Sequence, residues 1–153
     1  MKRYRGWRLY AFEPFAERLA ALKKEVERLR EKDPEGYHRH PTTVLLASVY
    51  RAVTETVPAN PDHPQFRVGH SLGAQYAHWR RIKRGLPPRY RLFYRFSSRP
   101  VQVIVYAWLN DEATLRKAEA KTDVYAVFQR MLARGEVPSD IEVLKKRGTE
   151  IDE

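Results

Sequence analysis

The spacing of apolar residues predicts three helices. From Phe12 to Leu29 they recur every three or four positions, which puts one apolar stripe on a helix over residues 14–32. Pro14 suits the first turn, and the breakers at residues 33–36 end the helix. Similar stripes predict a second helix over residues 42–57 and a C-terminal helix over residues 122–134, which Thr122 can cap. Asn110 or Asp111 can cap a further short helix that runs to Lys117.

Alternation with a period of two predicts strands over residues 78–84 and 89–96. A third segment, residues 101–109, is apolar on both faces and is therefore predicted to lie centrally in the sheet. Residues 6–11 predict an opening strand. Together the elements predict an α+β fold, with an antiparallel twisted sheet of about four strands, two N-terminal helices and a C-terminal helix. We expect the helices on one face and a free face opposite.

Composition limits the classes of protein to consider. With 153 residues, of which 42% are hydrophobic, the chain predicts a single domain over residues 1–153, with a core from about residue 6 to 142 and a flexible C-terminal tail. It contains no cysteine, which excludes disulfides, thiolate zinc sites and cysteine nucleophiles. No apolar run is long enough to span a bilayer, so we expect a cytoplasmic protein without a membrane partner.

Positive charge is concentrated in one part of the chain. The 48 residues between Asp62 and Asp111 contain no Asp or Glu, and we call them the acid-free window. This window holds nine cations against a net charge of +10. They are Arg67, Arg80, Arg81, Lys83, Arg84, Arg89, Arg91, Arg95 and Arg99. Such a patch attracts polyanions, and the predicted strands would present several of its cations on one face.

A cationic face of this kind can support RNA cleavage as well as RNA binding. Attack by a ribose 2′-hydroxyl on the adjacent phosphorus needs a base, an acid and cations, but no metal. Two-metal nuclease sites need clustered carboxylates, which the window lacks, so we expect neither a metal nor a cofactor. Several side chains remain open as the acid or the base: Lys83, His70, His78, Glu112, Lys121, Asp123 and Tyr125.

Several blocks of sequence, in order along the chain, resemble the YhaV toxins of bacterial type II toxin–antitoxin systems. These blocks are GWRLYA at residues 6–11, DPEGY at 33–37, WRRIK at 79–83, RYRLFYR at 89–95, WLNDE at 108–112, TLR at 114–116 and KTD at 121–123 with Tyr125. The resemblance implies membership of the RelE-like endoribonucleases, whose antiparallel sheet is backed by helices. It also implies cleavage of mRNA, commonly on the ribosome, without a metal or cofactor.

The resemblance further implies a partner and a set of site residues. The partner is a cognate antitoxin of the PrlF type, an AbrB-like swapped-hairpin protein. The implied catalytic residues are Arg81, Lys83, Arg91, Arg116 and Tyr125, although Lys121 is an alternative to Arg116. We expect further cations to bind RNA: Arg80, Arg84, Arg89, Arg95 and Lys121.

Two other functions stay open at this stage. The first is a non-catalytic RNA-binding or ribosome-associated protein, in which bases would stack on Phe93 or Tyr106. The second is a domain that binds only an acidic protein, with its charge serving assembly alone.

Overall fold

A computed structural model describes residues 2–111 and 123–152 of the chain. The chain forms five strands and five helices within these residues. Three single turns of 3-10 helix lie at Tyr37–Arg39, Pro64–Phe66 and Ala74–Tyr76. The elements, in order, are β1 Arg8–Phe12, α1 Glu13–Lys32, α2 Pro41–Arg51, α3 Val57–Ala59, β2 Arg80–Ile82, β3 Leu92–Ser97, β4 Val103–Leu109, α4 Val124–Ala133, α5 Ile141–Lys146 and β5 Gly148–Glu150.

The two N-terminal helices form where the apolar stripes predict them. Helix α1 differs from the prediction by one residue at its start and buries Phe15 and Leu22. Helix α2 begins after His40, whose Nδ1 accepts a hydrogen bond from the Thr42 amide at 3.2 Å. It then widens into a π-type turn at Ala52–Thr56 before the short α3. The predicted second helix is therefore present but irregular at its C-terminal end.

The sheet is mixed and has the strand order β2-β3-β4-β1-β5. Strand β1 runs parallel to β4, and all other neighbouring pairs are antiparallel. The prediction of about four antiparallel strands was therefore correct about the antiparallel β2-β3-β4 unit and wrong about the whole sheet. The long connection after β1, which includes α1, α2 and the β2-β3 hairpin, allows β4 to return beside β1 in the same direction.

The C-terminal residues also contribute to the fold. Helix α5 starts at the Asp140 cap, whose carboxylate accepts from the amides of the next turn, and it buries Leu144. Strand β5 then pairs with β1, and the Arg8 guanidinium binds both carboxylate oxygens of Glu150, at 2.9 and 3.2 Å. The expectation of a frayed end was wrong for these residues.

Helices pack on both faces of the sheet. One face packs against α1 and α2, where Phe15 and Val49 are completely buried. The other face packs against α4 and α5, which contribute Phe128 and Leu144. The prediction that one face is free was wrong, because the apolar stripe of α4 covers the side of the sheet that carries Phe93. No described helix is long and apolar enough to cross a membrane.

Candidate functional site

Strand register brings two arginines of the acid-free window to the same face. Arg81 of β2 lies opposite Phe93 of β3. Arg91 precedes β3 and lies two positions before Phe93, and side chains two apart in an extended segment point to the same side. Both guanidinium groups therefore lie on the side of the sheet where α4 begins.

The two arginines meet at one phenolic oxygen. Tyr125 lies in the first turn of α4, and its ring packs edge-on against Phe93 with 5.8 Å between centroids. Its hydroxyl accepts hydrogen bonds from Arg81 Nε at 2.9 Å and from Arg91 Nε at 3.2 Å. A phenol that accepts two hydrogen bonds keeps its own proton for donation to a third group. The geometry thus provides a proton donor held between two cations.

Tyr125 is fixed by the cap of its helix. The Asp123 carboxylate accepts hydrogen bonds from the Tyr125 amide at 2.9 Å and from the Ala126 amide at 3.4 Å. An aspartate in this position satisfies amides that the first helical turn leaves without partners. The sequence pattern predicted the cap at Thr122, one residue too early. Asp123 is therefore a support for Tyr125 rather than only a candidate acid or base.

Arg81 is held by the connection before β2. Its Nη1 donates to the carbonyl of Gln65 at 3.0 Å and to that of Arg67 at 2.9 Å. Only 9% of Arg81 is exposed, so most of this side chain lies inside the protein. Because Nε binds Tyr125, one guanidinium group joins the Gln65–Arg67 backbone to the phenol. This link was not predicted, since nothing in the sequence of the connection indicates which carbonyls point inward.

Arg91 is held by a buried asparagine. Asn110, which is completely buried, follows β4. Its Oδ1 accepts from the Arg91 amide at 2.7 Å, and its Nδ2 donates to the Arg89 carbonyl at 3.1 Å. The Arg91 Nη1 group donates to the carbonyl of Tyr90 at 2.8 Å. From the sequence, Asn110 was predicted only as a helix cap, and its contacts with Arg89 and Arg91 were missed.

Beside Arg81 lies an open cavity of about 440 Å³, which we call the basic pocket. The side chains of Lys83 and Arg84, just after β2, are exposed at this pocket. No Asp or Glu contributes to its lining among the described residues. The lining residues are His63, Pro64, Gln65, Phe66, Arg67, Arg81, Lys83 and Arg84.

Other cations of the window are engaged within the protein. Arg80 forms an ion pair with Asp62 at 2.9 Å and lies over the ring of Phe96. Arg95 donates to the carbonyl of Ser139, and burial lowers the pKa of its guanidinium. Arg80 and Arg95 thus bind protein groups in this structure, and their predicted contacts with RNA remain predictions. Arg89 is exposed in the turn between β2 and β3.

The other candidate site residues are outside the described residues, exposed, or buried. Arg116, Lys121 and Glu112 lie outside the described residues, as does most of the short helix expected after Asn110. His70 and His78 are exposed in the connection before β2. The rings of Phe93 and Tyr106 are completely buried, so neither can serve as the stacking face that a non-catalytic RNA-binding protein would use.

No group of three or more His, Asp or Glu side chains forms a candidate metal site in residues 2–111 and 123–152.

Comparison with known proteins identifies the family. Residues 9–149 match the YhaV toxin family, described as a toxin with endonuclease activity, of toxin-antitoxin system. The chain belongs to this family. The match spans the whole sheet except the first residue of β1 and the last of β5.

Relatives support the same assignment to the YhaV family over almost the full chain. The ribonuclease toxin YhaV of Escherichia coli strain K12 is 47% identical over 150 residues, which cover 97% of this chain and 96% of that protein. The toxin YhaV of Escherichia coli O157:H7 shows the same identity and coverage. No solved structure matches the chain significantly. The resemblance to YhaV toxins in the sequence blocks is thereby confirmed.

Proposed function

We propose that this chain is a metal-independent endoribonuclease toxin that cleaves mRNA by attack of a ribose 2′-hydroxyl. Membership of the YhaV family supports the ribonuclease activity. The observation that carries the mechanism is the Tyr125 hydroxyl, which accepts hydrogen bonds from both Arg81 and Arg91. We infer that this cluster lies at the cleaved phosphodiester.

The cluster fits the demands of in-line attack. The 2′-oxygen forms a bond to phosphorus while its proton passes to water, and the bond from phosphorus to the 5′-oxygen breaks. Tyr125 gives its proton to the leaving 5′-oxygen, and two arginine N–H donors are already in place for the negative charge that the phenol then carries. The products are a 2′,3′-cyclic phosphate and a free 5′-hydroxyl.

Cations near the phenol stabilise the extra negative charge on phosphorus. Arg91 is half-buried and Lys83 is exposed, and both can reach substrate oxygens from the end of the β2–β3 pair. Arg116 and Lys121, which the resemblance implies, would add further positive charge from outside the described residues. Arg84 and Arg89 are exposed and suit the binding of RNA phosphates on either side of the cut.

We propose two partners for this activity, one at which cleavage takes place and one that inhibits it. The first is the ribosome, where the mRNA would be cleaved during translation. The second is a cognate antitoxin of the PrlF type, since the family belongs to toxin–antitoxin systems. Co-expression of such an antitoxin should relieve the growth arrest that expression of this chain alone produces.

The decisive experiment is cleavage of mRNA in EDTA, with and without ribosomes. The intact chain should cleave, and Arg91→Ala should lower kcat by about 10²–10³-fold while RNA affinity changes far less, since a transition-state contact acts on the chemical step. Arg99→Ala is a matched control, because it removes another arginine of the acid-free window that is exposed in a distant turn. Strict dependence on added divalent metal would refute the mechanism.

A further inference from the structure

The basic pocket adjoins the catalytic cluster, and the mechanism above uses its Arg81, Lys83 and Arg84 side chains but assigns no ligand to the cavity and no role to Arg67. It lies between the segment from His63 to Arg67 and the chain that leaves β2 at Lys83 and Arg84. Its volume of about 440 Å³ falls within the range of roughly 300–1,000 Å³ that small-molecule sites occupy. One nucleotide is a ligand of suitable size for such a space.

The charge of the pocket indicates an anionic ligand. Arg67, Lys83 and Arg84 are all exposed at its lining. The nearest acid along the chain is Asp62, and its carboxylate binds Arg80 rather than any of these three cations. Three cations around one cavity repel each other unless an anion neutralises them. A phosphate group provides that charge together with several acceptor oxygens.

The wall of the pocket is fixed in position. His63 Nδ1 accepts from the Gln65 amide at 3.1 Å, which starts the 3-10 turn Pro64–Phe66. The His63 ring also contacts Phe66, with 5.7 Å between ring centroids. The imidazole is therefore oriented and exposed, and its face can contact a nucleobase.

Arg81 connects this wall to the catalytic phenol. One end of its guanidinium binds the carbonyls of Gln65 and Arg67, and its Nε binds the hydroxyl of Tyr125. The pocket and the phenol are thus separated by the width of a single guanidinium group. A ligand in the pocket would lie next to whatever group contacts Tyr125.

We propose that the basic pocket binds the nucleotide adjacent to the cleaved phosphodiester, with its phosphate on Arg67 and Arg84, while Lys83 keeps its role at the cleaved phosphodiester. Arg81 is a positioning residue in this arrangement, since it holds the pocket wall and the phenol at a fixed separation. The inference rests on the proposed function for the identity of the ligand as RNA. It adds Arg67 and the His63–Arg67 segment to the site, which neither the charge pattern of the strands nor the family resemblance assigns.

The first test measures RNA binding without cleavage. A 2′-O-methyl RNA oligonucleotide cannot be cut, so its affinity reports binding alone. The Arg67→Ala, Arg84→Ala double variant should reduce the dependence of log K on log salt concentration by about 0.7, the value for one lost phosphate contact on a single strand. Arg99→Ala removes a cation of the same window away from the pocket and should leave this slope close to that of the parent. Equal effects of the double variant and of Arg99→Ala would overturn the pocket as a specific site.

The second test locates the bound phosphate. In a series of 2′-O-methyl oligonucleotides, one phosphate at a time is replaced by a neutral methylphosphonate. One replacement next to the cleavage position should weaken binding by the parent chain, and the same replacement should have no effect on the Arg67→Ala, Arg84→Ala double variant. The inference is refuted if every replacement acts equally on both proteins. A chain that shows this position-specific binding but cuts no RNA would refute the proposed function and leave the pocket intact.

The third test concerns Arg81. Arg81→Lys keeps the charge but cannot bind both carbonyls and the phenol, so kcat should fall while the salt slope stays unchanged. Arg67→Ala should show the opposite pattern, a raised KM with kcat close to that of the parent. Parental kcat in a folded Arg81→Lys variant would overturn the positioning role.

Discussion

Tyrosines on the two faces of the sheet use their hydroxyl groups in opposite ways. On the face that packs against α1 and α2, Tyr94 donates to the Pro61 carbonyl at 2.7 Å and Tyr106 donates to the Val53 carbonyl at 2.8 Å. On the other face, Tyr125 accepts hydrogen bonds from two arginines. The first two are completely buried, whereas Tyr125 is partly exposed.

Under the proposed function, this difference separates two tyrosines that only stabilise the fold from one that takes part in the chemistry. Burial raises the pKa of Tyr94 and Tyr106, so both keep their protons and satisfy backbone carbonyls in the core. The Tyr125 oxygen accepts hydrogen bonds from two cationic side chains, so its own O–H group is left to donate to a substrate. Tyrosine hydroxyls thus stabilise the fold on one face and are proposed to act in catalysis on the other. Substitutions to phenylalanine should separate these two roles.

The largest expected effect is that of Tyr125→Phe on catalysis. Loss of a general acid typically lowers a rate by about 10²–10⁴-fold, so RNA cleavage should fall by that factor. The ring remains and can still pack against Phe93, but Arg81 Nε loses its acceptor, so a moderate fall in melting temperature should accompany the much larger loss of cleavage. Cleavage is measured under single-turnover conditions, with thermal unfolding followed in parallel. A variant that cleaves at the parental rate would refute the role of the phenol.

Tyr106→Phe should give the opposite result. It removes the donor to the Val53 carbonyl, and leaving such a buried group without its partner costs about 1–3 kcal/mol in unfolding free energy. Chemical denaturation measures this loss. Cleavage per folded molecule should stay at the parental value, since the hydroxyl lies on the face away from Tyr125. Tyr94→Phe is a second example of the same kind, and a loss of kcat in either folded variant would break the comparison.

The sequence predicted the long periodic elements better than the short ones. Helix α1 was placed to within one residue, because its apolar stripe runs from Phe12 to Leu29 and Pro14 marks its start. Strand β5 was missed because three residues, Gly148–Glu150, carry no periodic pattern. Its pairing with β1 joins parts of the chain that are far apart in sequence, and no local signal reports such contacts.

The site was predicted in part for the same physical reason. Alternation in the strands placed Arg81 and Arg91 on one face. Tyr125 was one of several open candidates for the acid or the base, and the family resemblance singled it out. Strand alternation does not indicate what covers a face, so the engagement of Arg95 by the Ser139 carbonyl was not foreseen. The pairing of Arg80 with Asp62 was missed because the acid lies 18 residues away, at the edge of the acid-free window.

A smaller effect should follow removal of the cap that holds Tyr125. Asp123→Ala should lower the unfolding free energy by about 0.5–2 kcal/mol and also lower kcat, because the first turn of α4 positions the phenol. Asp140→Ala removes the equivalent cap from α5 and is the matched control. It should lower stability to a similar extent and leave kcat unchanged. Equal losses of kcat would mean that catalysis follows general stability and not the position of Tyr125.

The smallest expected effect concerns the Arg8–Glu150 ion pair, which joins the N-terminal and C-terminal strands. The hydrogen bonds from Arg8 lower the pKa of the Glu150 carboxyl below its ordinary value of 4.5. A carboxyl whose pKa is lower in the folded state stabilises the protein above its unfolded-state pKa, and this stabilisation is lost as the pH falls through the folded-state pKa. The melting temperature of the parent chain should therefore be slightly higher than that of Glu150→Gln at pH 7, and the difference should vanish in acid. A difference independent of pH would show that the contact acts through packing and not through charge.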